Sequence, residues 1–120
     1  MKLAYYAHPI TEYGTLEETH AVKAIEHAGF VVINPNCPAI DLEYKLAKAR
    51  GIDSPMFHVF HPIVQRCDVV FFRAFPDGKI SSGVAMEVGW ADSLGKPVFE
   101  LPTQRVERTL TYQQTLERLK

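Results

Sequence analysis

A chain of 120 residues, 47% hydrophobic, can build one core and not two, so a single domain over residues 1–120 is expected. Its 13 basic and 14 acidic residues are scattered and leave a net charge of −1, which excludes the electrostatic footprint of a nucleic-acid polymer or membrane binder and favours a small-molecule partner. With no bilayer-length apolar run, no secretory or transit pattern and only Cys37 and Cys67 as thiols, the chain reads as cytoplasmic with both cysteines reduced.

The first element is KLAYYAH, Lys2 to His8, an apolar and aromatic run stopped by Pro9 that predicts a buried strand. Thr15 and Glu18 form a T-x-x-E capping box before LEETHAVKAIEHA, where Leu16, Val22, Ile25 and Ala28 recur near helical spacing up to Gly29. FVVIN, closed by Pro35, predicts a second strand of the kind buried on both faces of a parallel sheet. DLEYKLAKARG predicts an exposed helix ending at Gly51. SPMFHVFHPIVQRC predicts another, with Ser54 as N-cap, Pro55 at its first position and a kink or break at Pro62.

DVVFFRAF is the most strand-like segment, with Asp77-Gly78 marking the turn after it. SSGVAMEVGWADSL then predicts a helix ended by Gly95, KPVFEL a fourth strand, and VERTLTYQQTLERLK a polar closing helix. Strands separated by helices imply right-handed crossovers. The expected fold is a Rossmann-like (flavodoxin-like) α/β domain, a mostly parallel sheet of four or five strands with helices on both faces.

Ligands of such sheets bind beyond the carboxyl ends of the strands. The loops there are HPITEYGT, NPNCP and AFPDGKISSG. The last ends at a helix N-terminus, where Ser81, Ser82 and Gly83 present the small side chains and free amides that suit a phosphate. From Gly83 to Ala91 the only residue that is neither apolar nor glycine is Glu87, and a carboxylate buried without a partner is costly, so Glu87 is a candidate for chemistry. His58 and His61 lack the further ligands that zinc requires, and no metal site is expected.

Taken together, YYAHPI, DVVFF, SSGVAMEVGWA and GKPVFEL resemble the nucleoside 2′-deoxyribosyltransferase family, and within it the 2′-deoxynucleoside 5′-monophosphate N-glycosidases and related nucleotide hydrolases. The likeness spans roughly residues 3 to 101. It implies that Glu87 is the nucleophile or the stabiliser of an oxocarbenium-like sugar, that Ser81 and Gly83 bind phosphate, and that Tyr5 orients the glutamate or the base. The loop from His8 to Gly14, including His8 and Thr11, is then expected to hold sugar and phosphate. Where the hydrolases carry an aspartate ahead of the third strand, this chain has Phe60 and His61, so His61 and Asp77 are the candidates for protonating the leaving base.

The resemblance further implies no cofactor, no metal, a nucleotide or nucleoside substrate and a homodimer whose subunits complete each other's site. Met86, Trp90 and the MFHVF segment supply surplus apolar surface for that contact. Arg105 and Arg108 are expected to be solvated or to reach phosphate across the dimer. A nucleotide-binding module without catalysis, or a deoxyribosyl transferase, are the alternatives on the same fold.

Overall fold

A computed structural model describes residues 2–102 and 111–119. Its elements follow in chain order as β1 (Lys2–Ala7), a short 3-10 turn (Ile10–Glu12), α1 (Leu16–His27), β2 (Phe30–Ile33), α2 (Pro38–Ala49), α3 (Pro55–Arg66), β3 (Val69–Phe72), α4 (Ser82–Ser93), β4 (Val98–Glu100) and α5 (Tyr112–Arg118). All strand pairings are parallel, in the order β2-β1-β3-β4. The expected α/β fold of Rossmann or flavodoxin type is the one observed.

The two-residue period of β1 assigns its side chains to two cores. Ala4 and Tyr6 pack with Ala21 and Ile25 of α1, while Tyr5 and Ala7 pack with Val64 of α3 and with Val84 and Ala91 of α4. Helices therefore cover both faces. Asp68 ties the start of β3 to β1, its Oδ2 accepting from the Leu3 amide at 2.7 Å while its own amide donates to the Leu3 carbonyl at 2.8 Å. Because α1 leaves toward β2 and α4 toward β4, the chain reverses direction between β1 and β3, which makes the crevice at their carboxyl ends the switch point of the sheet.

Three local expectations need correction. β2 is an edge strand, only partly covered, with Val31 38% exposed, because the crossover through α2 and α3 carries the chain past β1 instead of adding a strand beyond β2. Pro62 neither breaks nor divides α3. The ring removes the bond to the His58 carbonyl, but His58 is exposed to solvent, and buried Val59 and Val64 anchor the helix on either side. Ser54 does occupy the N-cap of α3, yet in the left-handed region at φ 50°, with no side-chain cap bond, as the following proline disfavours the helical conformation there.

Elsewhere the local chemistry behaves as expected. Thr15 caps α1 by accepting from the Glu18 amide at 3.3 Å. The structure adds a cap that the sequence reading did not assign, Ser81 accepting from the Val84 amide at 3.3 Å at the start of α4. The Asp77-Gly78 turn closes on Phe75, with Gly78 at φ 89° donating to the Phe75 carbonyl. Among the described residues no helix is long and apolar enough to cross a membrane. Arg105, Arg108 and the first residues of the expected closing helix lie outside the described residues.

Candidate active site

Glu87 projects from the buried side of α4 toward β1 and is 6% exposed. Its Oε2 accepts a hydrogen bond from the Tyr5 hydroxyl, a partner 82 residues away in sequence. Burial pushes the Glu87 carboxyl up to about 7, and the Tyr5 hydroxyl pulls the other way. Tyr5 is itself raised well above its ordinary range, first by burial and then by the charge and hydrogen bond of Glu87. The result is a carboxyl group poised near neutrality, with a neutral partner and no cation in the pair. Such an environment suits a group that must accept positive charge or a covalent bond during reaction.

Tyr13, at the end of the loop after β1, is pushed up to about 12 by burial and then by the charges of Glu87, Glu18 and Asp41. The ring of Tyr13 lies 4.8 Å from that of His8, so this loop brings a second phenol into the electrostatic neighbourhood of Glu87. Nothing in the sequence distinguished Tyr13 from an ordinary loop aromatic.

The helix that carries Glu87 also presents its N-terminus to the strand-end crevice. Ser81 is the cap, Ser82 is exposed, and a Cβ on Gly83 would find its nearest neighbour, the Met56 methyl, at 4.0 Å. No acidic side chain occupies the first turn of α4, in contrast to α1, which has Glu17 and Glu18 there. Apart from the Val84 amide, which Ser81 caps, the N-terminal amides of α4 therefore face no competing carboxylate on their own helix.

The remaining candidates are distributed differently from the expectation. Asp77 sits in the exposed turn, its Oδ1 accepting from the Lys79 amide at 3.0 Å. His61 stacks on Phe57 at 4.2 Å and meets the Trp90 edge at 5.5 Å, one helical turn beyond Glu87 on α4. His8 does not face a phosphate. Its ring is fully buried between Tyr6 and Tyr13, with Nδ1 2.9 Å from the Tyr6 carbonyl oxygen and Nε2 2.7 Å from Glu18 Oε2.

Glu18 is the hub of that internal network. Besides His8 it accepts from the Gly14 amide at 3.1 Å and from the Asn36 side chain at 3.0 and 3.2 Å. Burial raises its carboxyl, the bonds from His8, Gly14 and Asn36 outweigh that, and the net shift is downward. The second half of the capping box is thus diverted: instead of returning to Thr15, Glu18 holds the loop that shapes the site.

Sequence reasoning also missed the cluster on the opposite face of β1. Tyr6 donates to Glu12 Oε2, and Arg73 Nη1 donates to Glu12 Oε1 at 3.2 Å and to the Glu17 carbonyl at 3.3 Å. The signal was present, since Arg73 interrupts the apolar run VVFFRAF as Glu87 interrupts its helix. Thr11 lies here too, lining a cavity of about 280 Å³ with Glu12, Glu17, Arg73 and Phe75 among others, while Glu87, Tyr5 and Ser81 do not line it. This cavity and the poised carboxylate are separate features, since Glu87 does not line it. Among the described residues no group of three or more His, Cys, Asp or Glu is arranged to hold a metal ion.

Comparison with known proteins agrees with this architecture. The family model for nucleoside 2-deoxyribosyltransferase matches residues 4–116, a span that runs from within β1 through β2, β3 and β4 and includes α4 with Glu87. No curated protein matches the chain. With a sheet, a switch-point crevice and a match that covers nearly its whole length, the chain belongs to the nucleoside 2-deoxyribosyltransferase family.

Proposed function

We propose that the protein hydrolyses the N-glycosidic bond of a (deoxy)nucleoside 5′-monophosphate to free base and sugar phosphate, in the cytoplasm and without cofactor or metal. The observation that carries this reading is the buried pair of Glu87 with Tyr5 of β1, the glutamate standing on a helix whose first turn is free of acidic side chains. Glu87 lies five residues after Ser82, about 7.5 Å along the helix axis, and its side chain leans back toward that end. A phosphate on the Ser81, Ser82 and Gly83 amides therefore leaves the attached sugar within reach of Glu87.

In the forward step the Glu87 carboxylate attacks C1′ as the C1′–N bond breaks, and the electron pair leaves with the base, which takes up a proton. Water then adds at C1′, its proton passing to the group that had protonated the base, and Glu87 is released as carboxylate. Tyr5 holds the carboxylate in the attacking orientation. Asp77 and His61 are the two groups proposed to protonate the base, and the variants Asp77→Asn and His61→Gln tell them apart by which one slows release of strongly basic, poor leaving groups more than of activated ones. The protein acts as a homodimer in this reading, with Phe57 (50% exposed) and Met86 (43% exposed) on the shared surface.

Incubation with a panel of nucleoside monophosphates and nucleosides, followed by chromatography for free base, tests the proposal. Base release from monophosphates in preference to nucleosides is the expected result. Release dependent on an added second base, with a new nucleoside as product, replaces hydrolysis by transfer, and no release from any member of the panel overturns the catalytic reading.

A further inference from the structure

Glu18 performs a task that α1 does not need. The helix is capped without its carboxylate, since Thr15 Oγ1 accepts from the Glu18 amide and the Thr15 amide donates to the Glu12 carbonyl at 3.1 Å. The carboxylate instead takes the Gly14 amide and the Asn36 side chain on Oε1, and Asn36 and His8 on Oε2. These partners come from the end of β1, the loop before α1 and the loop between β2 and α2. Glu18 is 7% exposed, and a buried carboxylate that binds three such partners fixes them relative to one another.

The residue held by that lock is Tyr13. Its own amide donates to the Ile10 carbonyl at 3.0 Å, and the amide of the next residue, Gly14, is the one bound by Glu18. Its ring lies against His8, which Glu18 also binds. The Tyr13 hydroxyl is left free. It makes no hydrogen bond among the described residues, and the buried side-chain atom there that lacks a partner is Arg73 Nε, so the hydroxyl is open to solvent. Glu87 Oε1 is in the same condition, because Tyr5 bonds Oε2. Tyr13 feels the charges of Glu87, Glu18 and Asp41, and Tyr5 in turn feels Tyr13, which brings the phenol to the Glu87–Tyr5 pair as well as to α1.

We infer that Glu18 is a positioning residue of the Glu87 site: through Gly14, Asn36 and His8 it fixes the Tyr13 phenol beside the Glu87–Tyr5 pair, with the Tyr13 hydroxyl free to bond the sugar of the substrate. The contact with the sugar rests on the reaction proposed above, and the lock does not. Position 18 demands a carboxylate. Glutamine exchanges one acceptor oxygen for an NH2 group, and in either orientation that group meets the Asn36 NH2, which donates to both oxygens of Glu18.

NMR of the full chain carrying 13C-labelled tyrosine tests the lock without substrate. The Tyr13 ring signal, assigned by its loss in Tyr13→Phe, is expected to move in a step with a midpoint near pH 7 as Glu87 titrates. The step should vanish in Glu87→Gln and shrink by at least about half in Glu18→Gln. Where Glu18→Gln fails to fold, Asn36→Ala decides, since Asn36 is exposed and its loss removes one arm of the lock; a smaller reduction in the same direction is expected. With nucleoside monophosphates, Tyr13→Phe is expected to lower kcat/KM about tenfold, and adding Glu18→Gln to lower it no further. The inference is overturned by a Tyr13 signal that ignores Glu87, by a step left undiminished in Glu18→Gln or Asn36→Ala, or by losses of kcat/KM that multiply in the double variant. Base release by a protein whose Tyr13 ignores Glu87 removes the lock and leaves the reaction standing. A Tyr13 step controlled by Glu18, with no base released from any nucleotide, does the reverse.

Discussion

Adjacent tyrosines of β1 each donate to a glutamate, on opposite faces of the same strand, and the two pairs are built for different ends. On the α4 face Tyr5 meets Glu87 with no cation in the pair, and burial holds the carboxyl up near 7. On the α1 face Tyr6 meets Glu12, which is also paired with the buried guanidinium of Arg73. A carboxylate with a neutral partner is held at a cost and is available to chemistry. One paired with a buried cation is part of the structure, because removing either member strands the other.

The same Glu→Gln change should therefore have opposite consequences at the two places. The largest effect is on turnover: Glu87→Gln is expected to lower base release by on the order of a thousandfold or more, with the fold retained, because the isostere keeps the packing and loses the charge. Wild-type release by this variant breaks the comparison at once. Next in size, Glu12→Gln is expected to destabilise the protein by about 3–5 kcal/mol in urea unfolding, since it leaves Arg73 buried opposite a neutral amide. An unchanged unfolding midpoint would show that Arg73 needs no counter-charge.

Stability of Glu87→Gln is the third measurement. The folded-state value of Glu87 is raised from 4.5 to about 7, so the folded protein holds this proton more tightly than the unfolded chain does. The stability it confers is complete below about pH 4.5 and is lost as pH rises through about 7. Above that pH the glutamine variant should be more stable than the wild type by up to about 3 kcal/mol, and the gain should fade toward pH 5. A loss of stability at pH 8 would mean that the charged form is better solvated than its burial implies.

The smallest effect concerns Tyr5. Its hydroxyl opposes the upward pull of burial on Glu87, so Tyr5→Phe should move the acid limb of the pH–rate profile upward by about one unit, with activity still rising as pH increases. A limb that stays in place would assign it to a group other than Glu87.

Much of this contrast was half legible in the sequence. Glu87 stood out because a lone carboxylate in GVAMEVGWA conflicts with its surroundings, and the helix it lies on was readable from Ser81 to Gly95. Arg73 broke an apolar run in the same way, but its partner Glu12 is 61 residues distant, in a loop without periodicity. His8 looked like a loop histidine open to ligand. Its burial depends on Glu18, which the capping box placed at the start of α1 without indicating where the carboxylate would turn.

What the sequence alone determined was local and repetitive: strand runs, helix periods, the cap at Thr15, the glycine-closed turns and hence the alternation that forces a parallel sheet. The tertiary structure decided which strand lies at the edge, that α3 runs through Pro62, and which face of β1 each tyrosine serves. Those outcomes depend on burial and on partners far apart in the chain, and a carboxyl group's charge state follows from its solvent exposure and its neighbours, neither of which a linear pattern contains.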